Sequence, residues 1–122
     1  KRSRRREERT VLILSCGEAL GLCKRPDKGL LASLWELPNF PGKADVETAL
    51  VKVEELGLKP RDILRQVERK HIFTHVEWEM RGVYLEVDHM PNIFTWLTAE
   101  EIEETAALPT AFRQFWEETD RV

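Results

Sequence analysis

Between Asp45 and Gly57 the apolar residues Val46, Ala49, Leu50, Val53 and Leu56 recur at three- and four-residue spacing, the period of one face of an α-helix. Asp45 stands where its carboxylate can accept from the orphan N–H groups of the first turn, and Gly57 suits a left-handed stop. A helix over about 44–56 with one apolar stripe must lie on something, and its neighbours read as strands. TVLILSC (10–16) is an aliphatic, β-branched run, GEA a turn, LGLCKRP (20–26) the returning strand ended by Pro26, and WELPNF (35–40) a short strand stopped by Pro38 and Pro41.

Beyond the helix, PRDIL (60–64) reads as one helical turn, followed by strands in RQVERKHIF (65–73) and VEWEMRGVYLEV (76–87). In the latter Val76, Trp78 and Met80 share one face, while Val83, Leu85 and Val87 have the opposite parity. A bulge at Arg81-Gly82 is therefore expected to reset the strand. NIFTWL (92–97) is a further strand, Thr98 with Glu101 forms a capping box, and a last helix over about 109–119 turns Phe112, Phe115 and Trp116 inward. Strands around a central helix, closed by a terminal helix, predict an α+β sandwich.

At 122 residues the chain suits one domain with one core and no need of disulfides. No apolar run approaches the roughly 20 residues that span a bilayer, so no membrane partner is expected and the cytoplasm is the expected compartment. There Cys16 and Cys23, on either side of the first turn, are expected to stay reduced. The net charge of -3 argues against binding nucleic acid through bulk charge. Its distribution is uneven: KRSRRREER (1–9), read as a basic linker or tail before a domain over 10–122, holds six bases and two acids. Lys59, Arg61, Arg65, Arg69 and Lys70 form a second positive island, whereas Leu97 to Asp120 is acidic. A polyanion would be drawn to one part of the molecule and repelled from another.

EELGL (54–58) resembles the end of the Nudix box, in which glutamates clustered on one helix face hold a divalent metal against a diphosphate. Anchored on Gly57, the box's Arg-Glu pair falls on Leu50 and Val51, its earlier Glu on Gly42 and its first Gly on Glu36. Glu54 and Glu55 alone make a crippled metal site, with Val51 projecting opposite the apolar stripe. His71 and His75 return to the same face of a strand about 13 Å apart, too far to share an ion, so no metal is expected. No base adjoins either cysteine in sequence, and no Gly-rich phosphate loop occurs.

HIFTH (71–75) leaves two readings open. Strand alternation carried back from Val76 puts Ile72 and Thr74 toward the core and Phe73 and His75 outside with Glu77 and Glu79. A turn at Thr74-His75 instead sets Phe73, Thr74 and His75 at a hairpin tip beside Arg69, Lys70 and His71. Both leave Phe73 exposed. The three suit nucleic acid: an aromatic wedges or stacks at a base step, a hydroxyl donates and accepts at a base edge, and an imidazole reaches a phosphate. Arg69 and Lys70 are further candidates for phosphate contact.

KRPDKGLLASLWELP (24–38), HIFTH and ALPTAF (107–112), in that order, resemble the C-terminal domain of MutY-type adenine DNA glycosylases over nearly all of residues 10–118. The resemblance implies a Nudix-like α/β/α sandwich with a mixed sheet and a decayed box, non-catalytic by itself. It implies a parent enzyme that removes adenine paired with 8-oxoguanine in double-stranded DNA. Excision would belong to an N-terminal domain outside this chain, which also carries the iron–sulfur cluster; no cofactor is expected here. The family's Phe-Ser-His recognition loop falls on Phe73, Thr74 and His75, with Thr74 keeping the hydroxyl and adding a methyl, and Ser33 stands for a usual Gly. The implied setting is the bacterial cytoplasm, at the nucleoid, and the chain alone is expected to be monomeric and to bind DNA weakly. Two other classes compete. EELGL motivates an active Nudix pyrophosphohydrolase, and the acidic C-terminal part with Leu30 and Leu31 motivates a protein-interaction module.

Overall fold

The computed structural model describes residues 5–25, 34–105 and 108–119, the side chains of 116–119 excepted. In chain order the elements are β1 (Arg5–Cys16), β2 (Ala19–Lys24), β3 (Trp35–Glu36), β4 (Asn39–Pro41), α1 (Val46–Glu55), β5 (Pro60–Ile72), β6 (Val76–Val87), β7 (Thr95–Thr98), α2 (Ala99–Thr105) and α3 (Thr110–Thr119). The sheet runs β3-β2-β1-β6-β5, with β4 also paired to β1 and β7 to β2. Among the described residues only β1 and β6 pair in parallel, from Arg5 opposite Val76 to Ser15 opposite Glu86.

The unbroken apolar run in β1 is explained by cover on both faces. Val11 and Ile13 join Trp78, Met80, Tyr84, Ile102, Phe112 and Phe115 in a core beneath α2 and α3. Leu12 and Leu14 join Ala49, Val53, Val83, Leu85 and Val87 beneath α1. This is the expected sandwich with a mixed sheet, α1 on one face and α2 and α3 on the other.

The same two layers explain why the expected bulge is absent. The β1–β6 register passes through Arg81 and Gly82 without a shift. Even-numbered β6 residues face the α2/α3 core; Val83, Leu85 and Val87 face α1, while Glu77, Glu79 and Arg81, of that same parity, carry charge nearer the hairpin. The apparent change of parity is a change in which layer supplies the cover. Gly82 instead makes room for α3, because a Cβ there would stand 2.6 Å from the Phe115 ring. Tyr84 locks the contact by donating its hydroxyl to the Phe115 carbonyl at 2.9 Å.

The register shifts lie in β5, between Pro60 and Asp62 and between Ile63 and Arg65. PRDIL is therefore bulged strand rather than a helical turn; its extra residues break the period of two, which left the segment without a strand signature. WELPNF divides into β3 and β4, and only residues 95–98 of the expected strand over 92–97 and its neighbour are extended, with Phe94 buried before them. Both caps of α1 form: the Asp45 carboxylate accepts from the Thr48 N–H at 2.9 Å, and Gly57 adopts φ 86°. Buried Thr10 donates to the Gly42 carbonyl at 2.6 Å and accepts from the Ala44 N–H at 2.8 Å, fixing the approach to α1. The Thr98–Glu101 capping box closes in both directions, at 2.9 and 3.3 Å.

Candidate nucleic-acid interface

Strands β5 and β6 meet in a tight hairpin. Ile72 pairs with Glu77, the Phe73 N–H donates to the Val76 carbonyl at 2.7 Å, and Thr74 and His75 are exposed at the bend. Of the two readings of HIFTH, the turn is the observed one. Ile72 accordingly points outward, 49% exposed, rather than into the core.

Phe73 departs from expectation. It is half-buried, its ring packed edge-on against His71 at 4.7 Å and against Trp78 at 5.1 Å; Trp78 in turn meets Phe112 of α3 at 5.8 Å. The alternation rule gave Phe73 the parity of Glu77, but the turn breaks the alternation and returns its ring toward the aromatic core. His71 serves this stack. Two of the three tip residues thus present polar groups to solvent while the third anchors them.

The support of the tip comes from β1. Residues 5–9, within the span read as a tail, continue β1 alongside β6, and the Arg5 N–H donates to the His75 carbonyl at 3.1 Å. Residues 1–4 lie outside the described residues, as do 26–33 with Leu30, Leu31 and Ser33. Arg9 and Arg25 each place a guanidinium 5.3 Å from the centre of the Trp78 ring, and the indole N–H donates to Glu7 at 3.1 Å. Burial, then the neighbouring Arg25, pulls the Arg9 guanidinium below its ordinary pKa. Glu7, Arg9, Arg25 and Trp78 were legible only as tail, strand and core; a signal would have been the basic run read as a strand in register with β6.

Of the expected phosphate contacts, Arg69 is half-buried and donates to the Glu68 carbonyl at 2.7 Å, while exposed Lys70 stands 3.8 Å from Glu77. On the face of the sheet that carries Lys70, cations alternate with carboxylates: Arg6 lies 4.0 Å from both Glu77 and Glu79, and Glu68 receives Arg81 at 2.7 Å and Lys43 at 3.1 Å. Desolvation of Glu68 works against its ionised form, but these two cations outweigh it and hold its pKa below the usual range.

The outer face of α1 is different in kind. Val51 is 52% exposed, Glu54 and Glu55 are solvated, and Lys52 stands 4.0 Å from Glu55. Among the described residues no three His, Cys, Asp or Glu side chains gather where they would hold an ion. Beside α1 lies a cavity of about 320 Å³, lined by Leu12, Cys23, Glu36, Phe40, Lys52 and Phe94 among others. Burial first, then Glu36, whose carboxylate accepts from the Cys23 thiol at 3.6 Å, pushes the Cys23 pKa up to about 12, which disfavours the thiolate. Both cysteines are free.

The family described as "NUDIX domain" matches residues 9–118. In sequence the chain is 34% identical over 126 residues to the adenine DNA glycosylase of Homo sapiens, covering 90% of this chain and 23% of that protein. To the adenine DNA glycosylase of Mus musculus it is 32% identical over 109 residues, covering 80% of the chain and 21% of the relative. The chain thus spans under a quarter of the length of these relatives. Among solved structures, the C-terminal domain of mouse MUTYH, in its complex with human PCNA, superposes with a TM-score of 0.66 at 25% identity, over 94% of this chain and 88% of that one. A MutT protein from Methanosarcina mazei Go1 shares the fold, with a TM-score of 0.65 at 20% identity over 99% and 97%. With the Nudix sheet and helices in place and the family match running from Arg9 to Glu118, the chain belongs to the NUDIX domain family, and it is similar to part of the mammalian adenine DNA glycosylases.

Proposed function

We propose that this chain is the lesion-reading domain of a MutY-type adenine DNA glycosylase. It recognises 8-oxoguanine opposite adenine and helps to position the duplex, while a catalytic domain outside this chain, carrying the iron–sulfur cluster, excises the adenine. The single observation that supports this most is the β5–β6 hairpin, which presents the Thr74 hydroxyl and the His75 imidazole at its tip while Phe73 is anchored behind them. Oxidation of guanine turns a ring nitrogen from acceptor into N–H donor and adds a carbonyl beside it. One hydroxyl can accept from the first and donate to the second. Guanine offers the opposite pattern at the nitrogen, so a hydroxyl placed for the lesion loses a hydrogen bond with the normal base. His75, with Arg69 and Lys70 behind it, supplies phosphate contacts that fix register without reading sequence.

Few such contacts, on a chain of net charge -3, make binding by the domain alone weak and salt-sensitive; tethering to the catalytic domain raises its effective concentration. Glu54 and Glu55, without the box's other glutamates at positions 42 and 51, give a pyrophosphohydrolase too little to hold its metal. The test is the rate of adenine excision from 8-oxoguanine:adenine relative to guanine:adenine duplexes in the full-length protein. Thr74→Ala lowers that ratio by about 5- to 150-fold, the equivalent of roughly 1–3 kcal/mol for a hydrogen-bonding group at a base edge. Thr74→Ser keeps it. A ratio unchanged in Thr74→Ala contradicts the proposal.

A further inference from the structure

Thr74 lies between two residues that are each held, and both anchors lead to the same carboxylate. On one side the Phe73 ring rests on Trp78 at 5.1 Å. On the other, the His75 carbonyl accepts from the Arg5 N–H at 3.1 Å. The Trp78 indole N–H donates to Glu7 Oε1 at 3.1 Å, and the Arg5 guanidinium binds Glu7 Oε2 at 3.0 Å. The circuit Phe73–Trp78–Glu7–Arg5–His75 closes around the tip. Trp78 itself is 1% exposed and fixed from the core side by Phe112, so the circuit has one rigid member.

From this we infer that Glu7 and Trp78 are the positioning residues of the recognition hairpin, setting where the Thr74 hydroxyl stands; the inference rests on the function proposed above. A buried indole N–H needs an acceptor. Here the acceptor is a partly exposed carboxylate on the strand that also holds the tip. An exposed ion pair such as Arg5–Glu7 adds little to stability. Its consequence is geometric: it couples the two anchors, so that the loop between them has few ways to move. Discrimination by a hydroxyl at a base edge depends on that placement.

The test uses the full-length protein with Glu7→Ala, Glu7→Gln and Trp78→Phe, and reads the same excision ratio beside the thermal midpoint. Glu7→Ala and Trp78→Phe each lower the ratio by about 3- to 10-fold, the scale of one lost hydrogen bond. Glu7→Gln, whose amide oxygen still accepts the indole N–H but whose amide nitrogen cannot accept from Arg5, restores part of it. Excision falling equally on both duplexes, or Glu7→Ala and Glu7→Gln behaving alike, assigns the pair a purely structural role and overturns the inference. Thr74→Ala separates the two failures. If it lowers the ratio while Glu7→Ala does not, the positioning role fails and the lesion-reading function stands; if neither lowers it, the function itself fails.

Discussion

The outer face of α1 and the tip of the β5–β6 hairpin stand on one sheet and have opposite characters. On α1, Val51 occupies the position where a metal-holding Nudix helix carries a glutamate, and the remaining carboxylates are solvated and flanked by Lys52. At the hairpin, two polar side chains are exposed on a turn whose neighbours are anchored by aromatic stacking and by β1. The difference teaches that a fold assigns no chemistry; the side chains fixed at one place on it do. Here the hairpin tip is the anchored place, while the inner face of α1 covers the sheet through Ala49 and Val53.

The largest effect that would break the contrast is loss of the layer behind the hairpin. Phe115→Ala removes a fully buried ring that sits over Gly82, at a cost of about 3–5 kcal/mol in denaturant unfolding. Gly82→Val, which forces a Cβ into the same ring, costs about 1–3 kcal/mol. Equal stability in either variant would mean that α3 does not seat on the sheet as described.

Next in size is the chemistry of Cys23. Its folded pKa of about 12 lies above the ordinary 9.0, so its contribution to stability is full below pH 9.0 and is lost as pH rises toward about 12. Cys23→Ala flattens that part of an alkaline unfolding profile. Alkylation of the folded chain at pH 8 is slower at Cys23 than for a free thiol by about 100-fold or more, since so little thiolate is present. A Cys23 that reacts at the ordinary rate would restore a reactive centre beside α1.

The smallest effect sharpens the comparison from the other side. Val51→Glu adds back one carboxylate at an exposed position, changes stability by no more than about 0.5 kcal/mol, and yields no magnesium-dependent nucleotide hydrolysis. Hydrolysis on that single change would show that α1 needs only one group to become a metal site.

Much of this was legible in the sequence because it depends on local rules. The caps at Asp45, Gly57 and Thr98 and the helical stripe of α1 are set by side chains within one turn of each other. What depends on a distant layer was hidden. The parity change in β6 reads as a bulge until α1 and α3 are known to cover different lengths of it. Residues 5–9 have too little apolar content to read as strand, yet a parallel neighbour supplies their hydrogen bonds. Phe73, Thr74 and His75 were singled out by their chemistry and their resemblance to a recognition loop, and the structure places Thr74 and His75 exposed at a turn. The burial of Phe73 was not legible, because it requires knowing that the turn swings the ring onto Trp78.

The most direct measurement is an NMR titration of the chain with a duplex holding one 8-oxoguanine:adenine pair, against the same duplex with guanine. The account predicts lesion-dependent shifts at Phe73, Thr74, His75 and Val76 and at Arg5, with the α1 face and α2 unmoved. Shifts gathered on α1 or on the acidic α2, with residues 71–76 untouched, would contradict it.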